Sequence, residues 1–249
     1  MKFLPLLPLL LLAMPLEVTR SAAAEPADLP KPVSRTVTNL HGWSVRVDDR
    51  LFAAPNEALG RRALQMLDAR LNDIPYVVAE DRLKHLRSVT IVLDLTHGRL
   101  RTMQYHPSAS WLEQHGYSRD LAKCVHIPEA ADFARARQVN EQPWVVLHEL
   151  AHAYHDQVVG FDEPRIQAPY EKFKRSGHGE RVLLYDGTYT RHYALTDAKE
   201  FFAEFTETYF GINDFFPFNR AELKTSEPEI YSLMLNLWGP IRASQPGSP

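Results

Sequence analysis

Two histidines four residues apart inside an apolar helical run constrain this chain more than any other feature. Residues 143–159 read Pro-Trp-Val-Val-Leu-His-Glu-Leu-Ala-His-Ala-Tyr-His-Asp-Gln-Val-Val. Pro143 suits a first helical turn and Gly160 a stop, so the spacing predicts one helix over 143–159. Residues four apart stack on one helix face, so His148 and His152 can reach a common point from a rigid support. The apolar residues around them require burial, and buried imidazoles and carboxylates need partners. A divalent cation supplies one: neutral imidazole nitrogens bind zinc, which lowers the pKa of a bound water. Glu149, beside the first histidine, is then placed to accept the water's proton as a general base. His155, one further turn along near the same face, could be a third ligand, but is rather expected to orient a ligand or line the rim.

A third ligand can be sought by pattern. A histidine ten residues after His148, following a glycine, is not present: Val158 stands there, and His155 occupies the glycine position. The run Gly187-Thr188-Tyr189-Thr190 continues with Arg191, where an aspartate would be needed. A carboxylate from a second helix remains. In residues 196–210, Asp197, Glu200, Glu204 and Glu207 fall at offsets of 0, 3, 7 and 10, one face of a helix, among Phe201, Phe202, Phe205 and Tyr209. Like charges so spaced repel and call for cations or for histidines to accept from. At least one of them is expected on the metal. Glu200 is preferred, because Glu204, one turn on, can then orient a ligand histidine.

The run from Tyr193 to Glu204 (Tyr-Ala-Leu-Thr-Asp-Ala-Lys-Glu-Phe-Phe-Ala-Glu), following His148–His152, resembles the catalytic domain of anthrax lethal factor and the secreted Pro-Pro endopeptidases, which are gluzincin metallopeptidases. The resemblance covers residues 144–210. It implies Glu200 as third zinc ligand, Glu204 as its partner behind a ligand, and Tyr193 as hydrogen-bond donor to the transition state. The last role also suits a phenol facing a developing oxyanion; His192, its neighbour, points the other way on an extended chain.

The remaining sequence frames that site. The 249 residues, 45% hydrophobic and 24% charged, fit one globular core. A formal charge of −3 without a basic stripe argues against a nucleic-acid partner. Residues 1–24 carry Lys2, a Leu/Pro-rich apolar stretch and Ala22-Ala23-Ala24, the pattern of a cleaved signal peptide rather than a stable membrane span. Residues 25–33 read as a flexible leader, 34–242 as the domain, and 243–249 as a disordered tail. Cys124 is the only cysteine, so no internal disulfide forms, and its setting predicts a packed thiol.

Expected elements are two strands around His41-Gly42, helices over 55–71 and 80–86, a strand over 89–95, and a cleft-rim loop over 97–120 with a short helix near Trp111. A strand over 123–129 follows, then helices over 164–174 and 228–238, with a hairpin turning at Asp186-Gly187. Pro128 cannot donate to a ladder, which predicts the 123–129 strand at a sheet edge. There Cys124, His126 and Pro128 would meet a peptide by strand addition. The fold expected is α+β and zincin-like, a small twisted sheet on the active-site helix with a helical C-terminal part. The expected activity is zinc-dependent peptide hydrolysis outside the cytoplasm, with a peptide or protein as partner. A secreted module with structural zinc, or a zinc hydrolase of non-peptide amides, is the alternative.

Overall fold

The computed structural model describes residues 30–135 and 141–241. The expected signal peptide, most of the leader and the expected tail lie outside them. The described chain is α+β, with a five-stranded sheet, a two-stranded sheet and helices from end to end.

Strands β1 (Arg35–Leu40) and β2 (Trp43–Asp48) form the expected hairpin. Its turn puts His41 and Gly42 at positive φ, which glycine tolerates without a Cβ penalty. Helices α1 (Glu57–Val77) and α2 (Glu80–Arg87) lead into β3 (Ile91–Leu93). Then come β4 (Gln104–Tyr105), α3 (Ala109–Gln114), β5 (Val125–Ile127) and the single turn α4 (Ala130–Phe133). The sheet order is β1-β2-β3-β5-β4. β2, β3 and β5 run parallel, and β4 returns antiparallel to β5.

This order corrects one expectation. β5 is an interior strand, paired on both sides; the edge strands are β1 and β4, and β4 lies inside the segment expected as a rim loop. Pro128 falls one residue beyond the last residue of β5, so its missing N–H costs the ladder nothing.

The C-terminal half is helical: α5 (Val145–Tyr154), α6 (Pro164–Ser176), α7 (Ala198–Phe210), α8 (Arg220–Ser226) and α9 (Pro228–Trp238). Between α6 and α7 lies the hairpin of β6 (Val182–Leu183) and β7 (Tyr189–Thr190). α5 ends earlier than its sequence pattern predicts: His155–Val159 widens into a π-helical turn, and Gly160 closes it at positive φ. Alternation along the strands builds the core. Val45, Val47, Ile91, Leu93, Val125 and Ile127 face α1, α2, α5 and α7 in one continuous cluster. The opposite face is covered by the 97–121 segment over a smaller cluster holding Val92, Leu112, Tyr117, Leu121 and Cys124. The thiol of Cys124 is buried there.

Candidate metal centre

Helix α5 brings His148 and His152 to the surface of the core because its other faces carry Val146, Leu147, Leu150, Ala151 and Ala153, all buried. Helix α7 crosses it, anchored by the buried rings of Phe201, Phe202 and Phe205. The Asp197 side chain caps α7, accepting from the N–H groups of Lys199 and Glu200 at 2.8 and 3.0 Å. The cap fixes the first turn, and Glu200 projects from that turn toward α5.

Three atoms converge there. His148 Nε2 lies 3.1 Å from Glu200 Oε2 and 3.1 Å from His152 Nε2, and His152 Nε2 lies 3.4 Å from Glu200 Oε2. Donors about 2.0 Å from a tetrahedral ion sit about 3.3 Å apart, so the triangle has the size of one face of such a site. The donor set, two imidazoles and a carboxylate, suits zinc, and these residues could hold a metal ion.

The electrostatics point the same way. A cavity of about 530 Å³ opens over the triangle. Asp132, Glu149, Glu200, Glu204, Glu207 and Asp214 line it, and no lysine or arginine does among the described residues. Burial works against a charge on His148, but bonds to Glu200 and Glu207 outweigh it and hold its pKa well above the ordinary value. Burial likewise opposes charge on Glu200, yet His148 and His152 pull its carboxyl below the usual range. Burial and the charge of Glu207 push Glu204 well up, and burial with Glu207 lifts Asp214 to about 7. Beyond burial, the raised values of Glu204 and Asp214 record the mutual repulsion of carboxylates crowded around two imidazoles, a repulsion that a cation could relieve.

Glu149 is buried beside the triangle, and burial raises its pKa against the pull of His152 and His148. Its Oε2 accepts the main-chain N–H of Tyr105, on the edge strand β4, at 2.7 Å. Tyr193 lines the same cavity at the start of a 3-10 turn (Tyr193–Leu195), 48% exposed, with burial and then Glu200 raising its pKa. His192 beside it is wholly buried against Phe173, Phe205 and Phe215, and its Nδ1 accepts from Ala194 N–H.

The structure thus brings His148, Glu149, His152, Tyr193 and Glu200 together as the sequence predicts. It revises the rest. The partner on His148 Nδ1 is Glu207, at 2.7 Å; Glu204 Oε1 stands at 3.7 Å and its other oxygen takes the Asn213 side-chain amide at 2.9 Å. His155 neither orients a ligand nor reaches the rim. It is fully buried between Phe161 and Phe202, neither ring nitrogen has a hydrogen-bond partner among the described residues, and burial lowers its pKa to about 4. Cys124, His126 and Pro128 are buried and line no part of the cavity, because β4 stands between β5 and the cleft. The strand residues that do line it are Gln104 and Tyr105.

Glu207 belongs to the same acidic series as Glu204, and helical spacing alone does not separate the two. Tyr105 gave no signal, because its contribution is a main-chain N–H. Compared with known proteins, the chain matches no family model, no curated relative and no solved structure.

Proposed function

We propose that this chain is a zinc-dependent peptidase of zincin type, with His148, His152 and Glu200 as ligands. The observation that carries this reading is the ligand-sized triangle with a buried carboxylate, Glu149, beside it at the floor of an open cavity. A zinc ion in that triangle supplies Lewis acidity and acidifies water. Glu149 accepts the proton of the attacking water and passes it to the departing amine; burial, which raises its pKa, favours the proton-accepting step. The bond from Tyr105 N–H occupies Oε2 and leaves Oε1 for that work. Tyr193 donates its phenolic hydrogen to the carbonyl oxygen as that oxygen gains charge. Glu207 fixes the tautomer of His148 by accepting from Nδ1, leaving Nε2 as the donor atom.

Two features favour a polypeptide cut within its length. The sheet edge at β4 faces the cavity, where an extended chain can lie. The cavity also runs on into a second one, of about 390 Å³, that shares Gln142, Tyr193, Asp214 and Phe215 with it. A purely structural zinc would need a fourth protein ligand. His155 is enclosed by Phe161 and Phe202, and Glu204 faces the Nδ1 side of His148, which favours an open coordination position. Export after removal of residues 1–24 belongs to this proposal and rests on the sequence alone.

The test is digestion of a peptide library by the zinc-loaded chain, read by mass spectrometry, with chelator and Glu149→Gln controls. Cleavage lost in both controls is expected. Cleavage that survives chelation, or Glu149→Gln, refutes the mechanism.

A further inference from the structure

A second polar cluster lies behind β4, on the sheet face turned away from α5. Asp94 directly follows β3 and is fully buried. Arg35 grips it with two bonds, Nε to Oδ1 at 2.7 Å and Nη2 to Oδ2 at 2.8 Å. His97 Nδ1 and His126 Nε2 reach the same Oδ2 at 2.8 and 2.9 Å. His126 Nδ1 in turn lies 3.2 Å from His106 Nε2. His126 is completely buried and His106 nearly so.

Asp94, His97 and His126 converge closely enough to hold an ion, but the chemistry argues for hydrogen bonds. Their separations are ordinary hydrogen-bond lengths, shorter than the ~3.3 Å edge of a tetrahedral metal site. The shared oxygen also carries a guanidinium, which stays charged and would repel a cation.

The proton positions follow from the partners. Asp94, beside Arg35, acts only as acceptor, so His126 must donate through Nε2. A neutral His126 then has a bare Nδ1, and His106 must donate to it through Nε2. Burial, together with the neighbouring histidines, keeps His106 neutral, its pKa lowered to about 3.

The chain of bonds crosses three strands. Asp94 stands at the end of β3, His126 is the middle residue of β5, and His106 follows the last residue of β4. Gln104 is the register partner of His126, so His106 reaches it diagonally on the same face. Tyr105, between them, points the opposite way. Its N–H holds Glu149, and its phenol donates to Asp156 at 2.6 Å while accepting from Gln157 at 3.0 Å. The ladder of this edge strand is short. Among the described residues, only the main chain of His106 continues it beyond those two, donating to the Cys124 carbonyl at 3.1 Å and accepting from Lys123 N–H at 2.7 Å, and the His106 side chain adds a cross-strand bond to it.

We propose that Arg35, Asp94, His126 and His106 are positioning residues: a cross-strand chain that locks β4 so that Tyr105 N–H holds Glu149 in its working orientation. The catalytic consequence rests on the peptidase reading above; the chain and its grip on Tyr105 do not.

Three measurements on the full chain test it. In the unaltered protein, long-range nitrogen–proton spectra should show His126 and His106 both as Nε2–H tautomers; an Nδ1–H tautomer at either breaks the chain. Hydrogen exchange of the Tyr105 amide should be at least tenfold faster in His106→Leu and close to the parent in His106→Gln, which keeps a donor; a Leu variant as protected as the parent overturns the proposal. With the best-cleaved library peptide, His106→Leu should lower kcat about ten- to a hundredfold, with KM and zinc content unchanged and most of the loss restored by His106→Gln. An unchanged kcat, or a loss confined to KM, refutes the positioning role. Should the parent cleave no peptide, the peptidase reading fails by itself, and the tautomer and exchange results still decide the proposal.

Discussion

Replacing His155 by phenylalanine should stabilise this protein more at acid pH than at neutral pH. His155 is fully buried, its ring sits 5.1 Å from Phe161 and 4.9 Å from Phe202 by centroids, and neither nitrogen is bonded among the described residues. Burial lowers its pKa to about 4 against an ordinary 6.5. The unfolded chain therefore binds a proton below pH 6.5 that the native chain refuses until about pH 4, and stability falls as pH drops through that window. At pH 5 the unfolded state has gained about 1.5 pH units of protonation, about 2 kcal/mol at 1.36 kcal/mol per unit. His155→Phe removes that term. It also removes an unsatisfied buried polar ring, worth roughly 1–3 kcal/mol at any pH, against some cost from the larger ring. Urea unfolding of the metal-free parent and variant at pH 7 and pH 5 isolates the effect, because groups common to both proteins cancel in the difference. The variant's advantage should grow by about 2 kcal/mol between the two pH values. An advantage no larger at pH 5 than at pH 7 would refute the reasoning.

Other outcomes follow from the site and its supports. Glu207→Gln should weaken zinc binding about ten- to a hundredfold, and Glu204→Gln less, since Glu207 holds the 2.7 Å bond and Glu204 stands at 3.7 Å; competition with a chromophoric chelator measures both, and the reverse order contradicts the assignment. Asp214 has a folded pKa of about 7, above its ordinary 3.8, so its contribution to stability is present below the ordinary value and lost as pH rises toward 7. Asp214→Asn should then raise the metal-free Tm more at pH 8 than at pH 4.5, and an equal rise at both counts against it. Gly60 lies inside α1 where a Cβ would collide with the Leu51 carbonyl oxygen, so Gly60→Ala should cost roughly 1–3 kcal/mol despite alanine's helix preference; a stabilised variant in thermal unfolding would count against that contact.

What was legible in the sequence was whatever depended on local pattern. α5 and α7 are readable because apolar spacing, and for α5 the Gly160 stop just past its π-helical turn, act within a few residues of themselves. The triangle of donor atoms is legible because two of its corners share a helix and the third belongs to an acidic series on one face of another. The edge strand was not. β4 is two residues, Gln104 and Tyr105, and its place is set by pairing with Val125 and His126, some twenty residues on. Pro128 pointed to the wrong edge because one residue decides whether a missing N–H lies within the ladder or past it. α4 and α8 were missed for a related reason: four and seven residues give too few turns for a periodicity to show. His155 does not take its expected role because Phe202, from α7, and Phe161 pack against its ring, contacts that helical spacing does not show.

The triangle joins a helix carrying His148 and His152 to another that supplies Glu200, 52 residues further along from His148. If the triangle holds a divalent ion, as proposed, its affinity is a gauge of how those two rods are aligned. A packing defect among Phe201, Phe202 and Phe205 that tilts the second rod by a fraction of an ångström leaves helix content untouched, yet it spreads the three donor atoms and loosens the ion. Metal titration would register such damage in the aromatic interior before any spectroscopic sign of unfolding.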